Sequence, residues 1–330
     1  MKNNFIRTFI ISTFFFTNVV FSESFVLESK NIEILNEGNQ INAYEGKATS
    51  NDRNLEIKSN EFRYFKNLDT LKSIGNGELL IKSKKIKIKY DNGFFDQKKL
   101  SFTANGNVEI FQTDGIFVIK TDKIFFDQKN NIVLSDETAK VEDNLGNIYF
   151  TDSFKYEVNK DLLKVKNLVS KDSLNNTLKT SVAYINTKSG KIFGKDIKID
   201  LGSQSSQNDN DYRLRGNSGE IDENFSNITK GIFTTCKKRD GCPPWTFSAK
   251  KITHDKKKRE IVYDDAVLKV YDVPLAYFPK FFHPDPTVKR RSGFLIPSIT
   301  NSSNSDNFLN IPFFYAIADN KDITFSPRLY

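Results

Sequence analysis

Between about residues 42 and 158, apolar and polar side chains alternate in short runs such as Ile86-Lys87-Ile88-Lys89-Tyr90. This is the period-two pattern of a strand with one buried face. The runs recur. Four copies open on a small residue, a spacer and an apolar or small residue: Gly46-Lys47-Ala48, Gly77-Glu78-Leu79, Gly106-Asn107-Val108 and Ala139-Lys140-Val141, at intervals of 31, 29 and 33 residues. Each copy carries a second signature, formed by Ile57, Ser59, Phe62 and Tyr64, then Ile81, Ser83, Ile86 and Ile88, then Ile119, Thr121, Ile124 and Phe126, and last Tyr149, Thr151, Phe154 and Tyr156. A fixed period of this length marks one supersecondary unit stacked on copies of itself.

The first and second pairs of each signature stand on opposite parity. A flat strand would send them to opposite faces, and a bend or bulge between them returns both to one interior. Each repeat therefore reads as strand, corner, strand, turn, with Asp91-Asn92-Gly93 and Asp127-Gln128-Lys129-Asn130 as candidate turns. The stack encloses an interior lined by Ile57, Phe62, Tyr64, Ile81, Ile86, Ile88, Ile119, Ile124, Phe126, Phe154 and Tyr156. Such a lining suits a packed core, the default of β folds, or an apolar groove that holds a lipid. The pattern loosens beyond Val158 but continues through residues 180–185 and 194–199. The polar residues 202–211 interrupt it as a loop, and strand signals resume at Tyr212.

Composition narrows the class. With 38% hydrophobic and 13% aromatic residues in 330, the chain folds around a real core. Lys2 and Arg7 precede an apolar run from Phe9 to Phe21 that stops at Ser22-Glu23-Ser24, which reads as a signal peptide over residues 1–22, with a retained anchor as the alternative. The net charge of +8 is interspersed along the chain and reads as a solvated surface compatible with an acidic, phosphate-bearing head group. Export and the lack of a recognised motif tell against nucleic acid. Cys236 and Cys242 either close a small loop or await other partners. A metal site is not expected, because the only histidines are His254 and His283. No cofactor is expected either.

The most distinctive motifs follow Gly231: Val273-Pro274, Tyr277 and Pro279, then Pro284-Asp285-Pro286, Arg290-Arg291-Ser292-Gly293-Phe294-Leu295, Pro297-Ser298, and Pro312-Phe313-Phe314-Tyr315 with Ile317-Ala318. In this order and spacing they resemble the junction between periplasmic domain and barrel in the OstA/LptD family of outer-membrane lipopolysaccharide-assembly proteins, and the upstream repeat resembles that family's OstA-like β-jellyroll. The resemblance implies an all-β fold, a periplasmic β-jellyroll of stacked strand repeats over residues 23–285 followed at 286–330 by the first strands of a truncated outer-membrane β-barrel. Residues 294–299, 308–315 and 322–330 are the aromatic-rich strand candidates. Three strands cannot close a barrel, so the chain reads as a fragment or truncated product.

The resemblance further implies lipopolysaccharide as ligand, a soluble periplasmic bridge protein joined to the first strands by β-augmentation, and an outer-membrane lipoprotein plug in full-length members. It makes Pro297 and Pro312 candidates for a barrel gate, where the plainer reading is that they mark strand starts. Lys289, Arg290 and Arg291 are candidates for lipid phosphates or for anchoring at the membrane surface. In the family, disulfides link the periplasmic domain to the barrel, and some members carry a close cysteine pair at this position. The function expected is lipopolysaccharide transport without catalysis. A soluble lipid bridge or repeat-type interaction protein is the alternative. A β-helix polysaccharide-cleaving enzyme would need a paired acid and base, and none is recognisable.

Overall fold

A computed structural model describes residues 18–21, 24–112, 117–144, 146–171, 176–201, 212–237, 243–285, 288, 291–295, 298–302, 305–318 and 320–329. Strands dominate it, in chain order β1 (Asn18–Phe21), β2 (Phe25–Leu35), β3 (Gln40–Ser50), β4 (Leu55–Phe65), β5 (Thr70–Ile81), β6 (Ile86–Asp96), β7 (Ser101–Gln112), β8 (Phe117–Asp127), β9 (Ile132–Ser135), β10 (Ala139–Asp143), β11 (Ile148–Thr151), β12 (Ser153–Glu157) and β13 (Leu162–Lys171). There follow β14 (Thr177–Asn186), β15 (Ile192–Asp200), β16 (Arg213–Ile221), β17 (Phe225–Thr234), β18 (Trp245–Asp255), β19 (Glu260–Val270), β20 (Val273–Pro284), β21 (Gly293–Phe294), β22 (Ser298–Ser302), β23 (Ser305–Asn310), β24 (Phe313–Ala318), β25 (Lys321–Phe325) and β26 (Arg328–Leu329). The chain divides into two compact units, residues 1–145 with 150–165 and 187–189, and residues 146–149 with 166–186 and 190–330.

In the first unit, β2 through β8 form an antiparallel meander of long strands, each bent near its middle. The corners are of two kinds. In β3, β5 and β7 the bend falls on a non-glycine residue with left-handed backbone, Glu45, Asn76 and Asn107, at φ of 48°, 49° and 45°. In β4, β6 and β8 no residue at the corner takes a positive φ, and two residues separate the last inward side chain of one half from the first of the next: Ser59 and Phe62, Tyr90 and Gly93, Thr121 and Ile124. This is the parity change read from the sequence, and it turns both halves of each strand toward one interior. Phe25 of a first half meets Phe95 of a second half edge to face, ring centres 5.2 Å apart.

The turns at one end are stitched from coil to coil. Backbone N–H groups of Lys66, Gln97, Gln128 and Val158 donate to the carbonyls of Asn39, Asp69, Leu100 and Asn131 at 2.9 to 3.1 Å. Residues 128–131 thus form a turn, as expected. Asp91-Asn92-Gly93 does not: it is the corner of β6. Glycine is required there because a Cβ on Gly93 would lie 2.5 Å from Ser73 Oγ and 2.8 Å from the Phe102 ring.

Register also corrects the repeat. Gly46, Gly77 and Val108 face Ser59, Tyr90 and Thr121, and Ala139 faces Thr121 from its other side. Val108, not Gly106, is therefore the equivalent of Gly77, and the interval is a uniform 31 residues. Ser83 lies in the turn between β5 and β6, closed by Lys85 N–H on Lys82 O. The second copy of the later signature is Ile88, Tyr90, Gly93 and Phe95, in line with Ile57 and Ile119. Aliphatic residues on both sides of a turn imitate the strand pattern, and only hydrogen-bonded register separates the two.

In the second unit β14 to β20 continue the same device, with left-handed corners at Asp196, Lys230 and Asp265 in β15, β17 and β19. The loop 202–211 lies outside the described residues; Leu201 N–H donates to Tyr212 O at 2.9 Å where its ends meet. After β20 come two small sheets, β21-β24-β25 and β22-β23-β26. No helix among the described residues is long and apolar enough to cross a membrane, which says nothing of strands.

Candidate functional site

Two apolar rows run across the strands of the first unit and face each other. In the first halves, Leu27, Ala48, Ile57, Leu79, Ile88, Ile110, Ile119 and Val141 are successive cross-strand partners. In the second halves, Ile41, Tyr64, Leu71, Phe95, Phe102, Phe126, Val133 and Tyr156 form the opposing row. One row is aliphatic and the other largely aromatic. Residues recur every second position on a strand and every coil across it, so a 31-residue repeat produces both rows.

All eleven lining candidates lie in this interior, none more than 4% exposed, the value at Phe154. Ile57, Ile88 and Ile119 sit in the aliphatic row, and Tyr64, Phe126 and Tyr156 in the aromatic one. Phe62 and Ile124 stand beside the corners, Phe154 pairs with Ser135, and Ile81 and Ile86 face each other across the β5–β6 turn. The interior is filled by side chains to core levels, each worth roughly 1.5–3 kcal/mol of burial. Sequence reading missed Phe95 and Phe102, although period-two alternation from Phe95 and from Phe102 was there to be read.

Several of the buried polar groups are paired with one another. Tyr64 donates to Asp69 at 2.7 Å, and Ser24 donates to the other Asp69 oxygen at 2.8 Å. Tyr90 and Ser73 share a hydrogen bond of 2.9 Å. Burial pushes the Tyr90 and Tyr156 hydroxyls above the ordinary range, so both stay protonated at any physiological pH.

The outside of the same strands is of another character. Glu28, Lys47, Lys58, Glu78, Lys89, Glu109, Lys120 and Lys140 are successive cross-strand partners on the outer face of the first halves. Ion pairs join Lys47 to Glu28, Lys87 to Glu78 and Lys120 to Glu109. Charge of both signs thus keeps this face in water while its reverse is apolar.

The interior of the second unit is closed at β14–β17 and opens toward β20. Leu214 and Phe233 are buried, whereas Phe247, Leu268, Phe278 and Phe281 are only half-buried. Phe247 stacks on Phe281 at 5.0 Å, and Trp245 and Tyr263 join the cluster. Beyond it β20 carries exposed Val273, Leu275 (64%), Tyr277 and Phe282. β20 pairs only with β19 among the described residues, and its open edge holds Pro274, Pro279 and Pro284, which cannot donate to an added strand.

Of the remaining candidates, Arg291 is half-buried, donates to Glu260 Oε2 at 2.6 Å and lies 5.7 Å over the Phe282 ring. Pro312 is buried between β23 and β24, at the point where the chain passes from one small sheet to the other, and its carbonyl accepts Leu295 N–H at 2.8 Å. Lys289, Arg290, Pro297 and Cys242 lie outside the described residues, as do residues 1–17. Asn18–Phe21, assigned to the leader, pairs antiparallel with residues 26–29 of β2. Cys236 is half-buried with its thiol 3.9 Å from Trp245 O. Among the described residues no three His, Cys, Asp or Glu side chains converge on a point that could hold a metal ion.

Residues 52–206 match the family model described as OstA-like protein. Among curated proteins, the chain is 37% identical over 109 residues to LPS-assembly protein LptD of Cupriavidus pinatubonensis, covering 33% of this chain and 13% of that one. It is 34% identical over 121 residues to LptD of Nitrosococcus oceani (36% and 16%), and 32% identical over 143 residues to LptD of Mannheimia succiniciproducens (41% and 18%). The chain thus spans less than a fifth of these relatives' length. The crystal structure of LptH from Pseudomonas aeruginosa, described as the LptA homologous periplasmic component of a lipopolysaccharide transport device, aligns with 37% of this chain and 85% of its own at 15% identity and a TM-score of 0.30, too loose a likeness to carry an argument.

Proposed function

We propose that this OstA-like chain, similar to LPS-assembly proteins, carries lipopolysaccharide on its way to the outer membrane and performs no chemistry on it. The observation that supports this is the pair of continuous apolar rows in the first unit. A lipid whose acyl chains entered between them would exchange side-chain contacts for its own methylenes, each worth roughly 0.8 kcal/mol on burial, while its phosphates stayed at the wet edge. Nothing in such a transfer calls for an acid, a base or a metal.

On this reading residues 1–22 direct export, residues 23–285 work in the periplasm, and residues 286–330 begin the outer-membrane barrel of the longer relatives. The soluble bridge protein adds to the first strands, along the edge of β2 that loss of the leader leaves open. The lipoprotein plug belongs to the complete barrel. Pro297 and Pro312 weaken pairing where that barrel would open, and Arg291 with Lys289 and Arg290 anchors the junction at the membrane surface. Cys236 and Cys242 bond either to each other, closing a small loop, or to cysteines of the barrel, tying the two parts.

Photocrosslinking in cells tests the conduit. With the probe at Phe62, Ile88 or Phe126, lipopolysaccharide adducts are expected on the purified chain, and none with it at Lys87, which points outward toward Glu78. An exported, folded chain that yields no adduct at the three interior positions has a sealed core, and the conduit reading fails.

A further inference from the structure

The two histidines of the chain stand in one interior row of the second unit. His254 of β18, Ile261 of β19 and His283 of β20 are successive cross-strand partners. The equivalent row in the first unit is apolar and largely aromatic, so two imidazoles here call for a reason. His254 is 7% exposed, and its Nε2 lies 3.1 Å from Asp285 Oδ2, a carboxylate itself 6% exposed, one residue past the end of β20. Asp285 N–H donates to Arg259 O at 2.9 Å, in the turn between β18 and β19, and Asp285 O accepts Val288 N–H at 3.1 Å.

His283 is fixed too. Its Nδ1 is 2.6 Å from Pro284 O, and a carbonyl only accepts, so Nδ1 carries the proton. The neutral ring then accepts the Tyr263 hydroxyl at Nε2, 2.8 Å away. Further along, Arg291 returns to Glu260 at the start of β19. The stretch from His283 to Arg291 is therefore held to the β18–β19 hairpin at three separate points.

We propose that the His254–Asp285 pair is a latch that sets the direction in which the chain leaves β20, with Arg291 as its second tie. A buried hydrogen-bonded polar pair adds little net stability compared with apolar side chains of the same volume, because desolvating both partners offsets their attraction. What it supplies is one geometry, since burying the Asp285 carboxylate favours the path that brings it within hydrogen-bond reach of His254. His254 and Asp285 are positioning residues: they act through the path of the segment that carries β21 to β26, and the body of the unit stands without them.

The test uses the full chain and two readouts, the rate of tryptic cleavage after Lys289, Arg290 and Arg291, and the melting temperature of the β body by circular dichroism. Asp285→Ala and His254→Leu are expected to speed cleavage about tenfold, because cleavage follows the population of the released segment, with melting unchanged. His254→Gln keeps a donor in reach of Asp285 and is expected to cleave at the parental rate. Unchanged cleavage in both disruptive variants, equal rates for His254→Gln and His254→Leu, or melting that falls in step with cleavage would each overturn the latch. Failure of Asp285→Ala to fold would do so as well, since the pair would then be part of the core.

Discussion

Gly93 shows how a single residue can mean something other than its usual signal. Asp91-Asn92-Gly93 has the composition of a turn, yet the structure uses it as a corner at which three inward side chains crowd the backbone. The backbone at Gly93 is one an alanine can adopt, so the contest is purely steric. Gly93→Ala is expected to lower stability by about 1–3 kcal/mol, the range for overpacking a filled site, read as a drop in the urea midpoint. Gly293, which has nothing within 4 Å of its would-be Cβ, is the control, and Gly293→Ala should leave that midpoint in place. A neutral Gly93→Ala would mean that Tyr90 and Phe102 rearrange freely and the corner is not tightly packed.

At the scale of the strand, alternation and parity were legible and register was not. The bend in β4 and β8 follows from the sequence because two inward pairs of opposite parity have only one way to share an interior. The sequence pattern places the second repeat seven residues early, at Ile81 and Ser83, because those residues and Ile88 and Tyr90 carry similar patterns and no local rule ranks them. Register also places charge. Glu78 stands between Lys58 and Lys89 on the outer face, so Glu78→Lys sets three lysines side by side. The expected cost is about 0.5–1 kcal/mol in dilute buffer, and screening in about 0.5 M salt should recover most of it. Urea titrations at both ionic strengths check this, and a loss that salt does not relieve would assign Glu78 a packing role instead.

Across the molecule, stacked coils make the first unit quasi-one-dimensional: each coil is bonded to its neighbours through strand ladders and through the chain of turn hydrogen bonds from Asn39 to Val158. Stability in such an array is shared among neighbours. Hydrogen exchange should accordingly be slowest in β4 to β7 and faster toward β2, the end strand of the meander once the leader is removed. Uniform protection across the unit would instead indicate a single all-or-none core. The sequence by itself determined the strand class, the bent repeat and most of the inward residues, because those depend on side-chain period, which is written locally. It also carried the resemblance that led to lipopolysaccharide assembly. The tertiary structure alone decided the uniform 31-residue register, the facing of an aliphatic row by an aromatic one, the opening of the second interior toward β20 and the meeting of His254 with Asp285. These depend on hydrogen-bonded pairing between residues distant in the chain, and such pairing leaves no local trace in the order of amino acids.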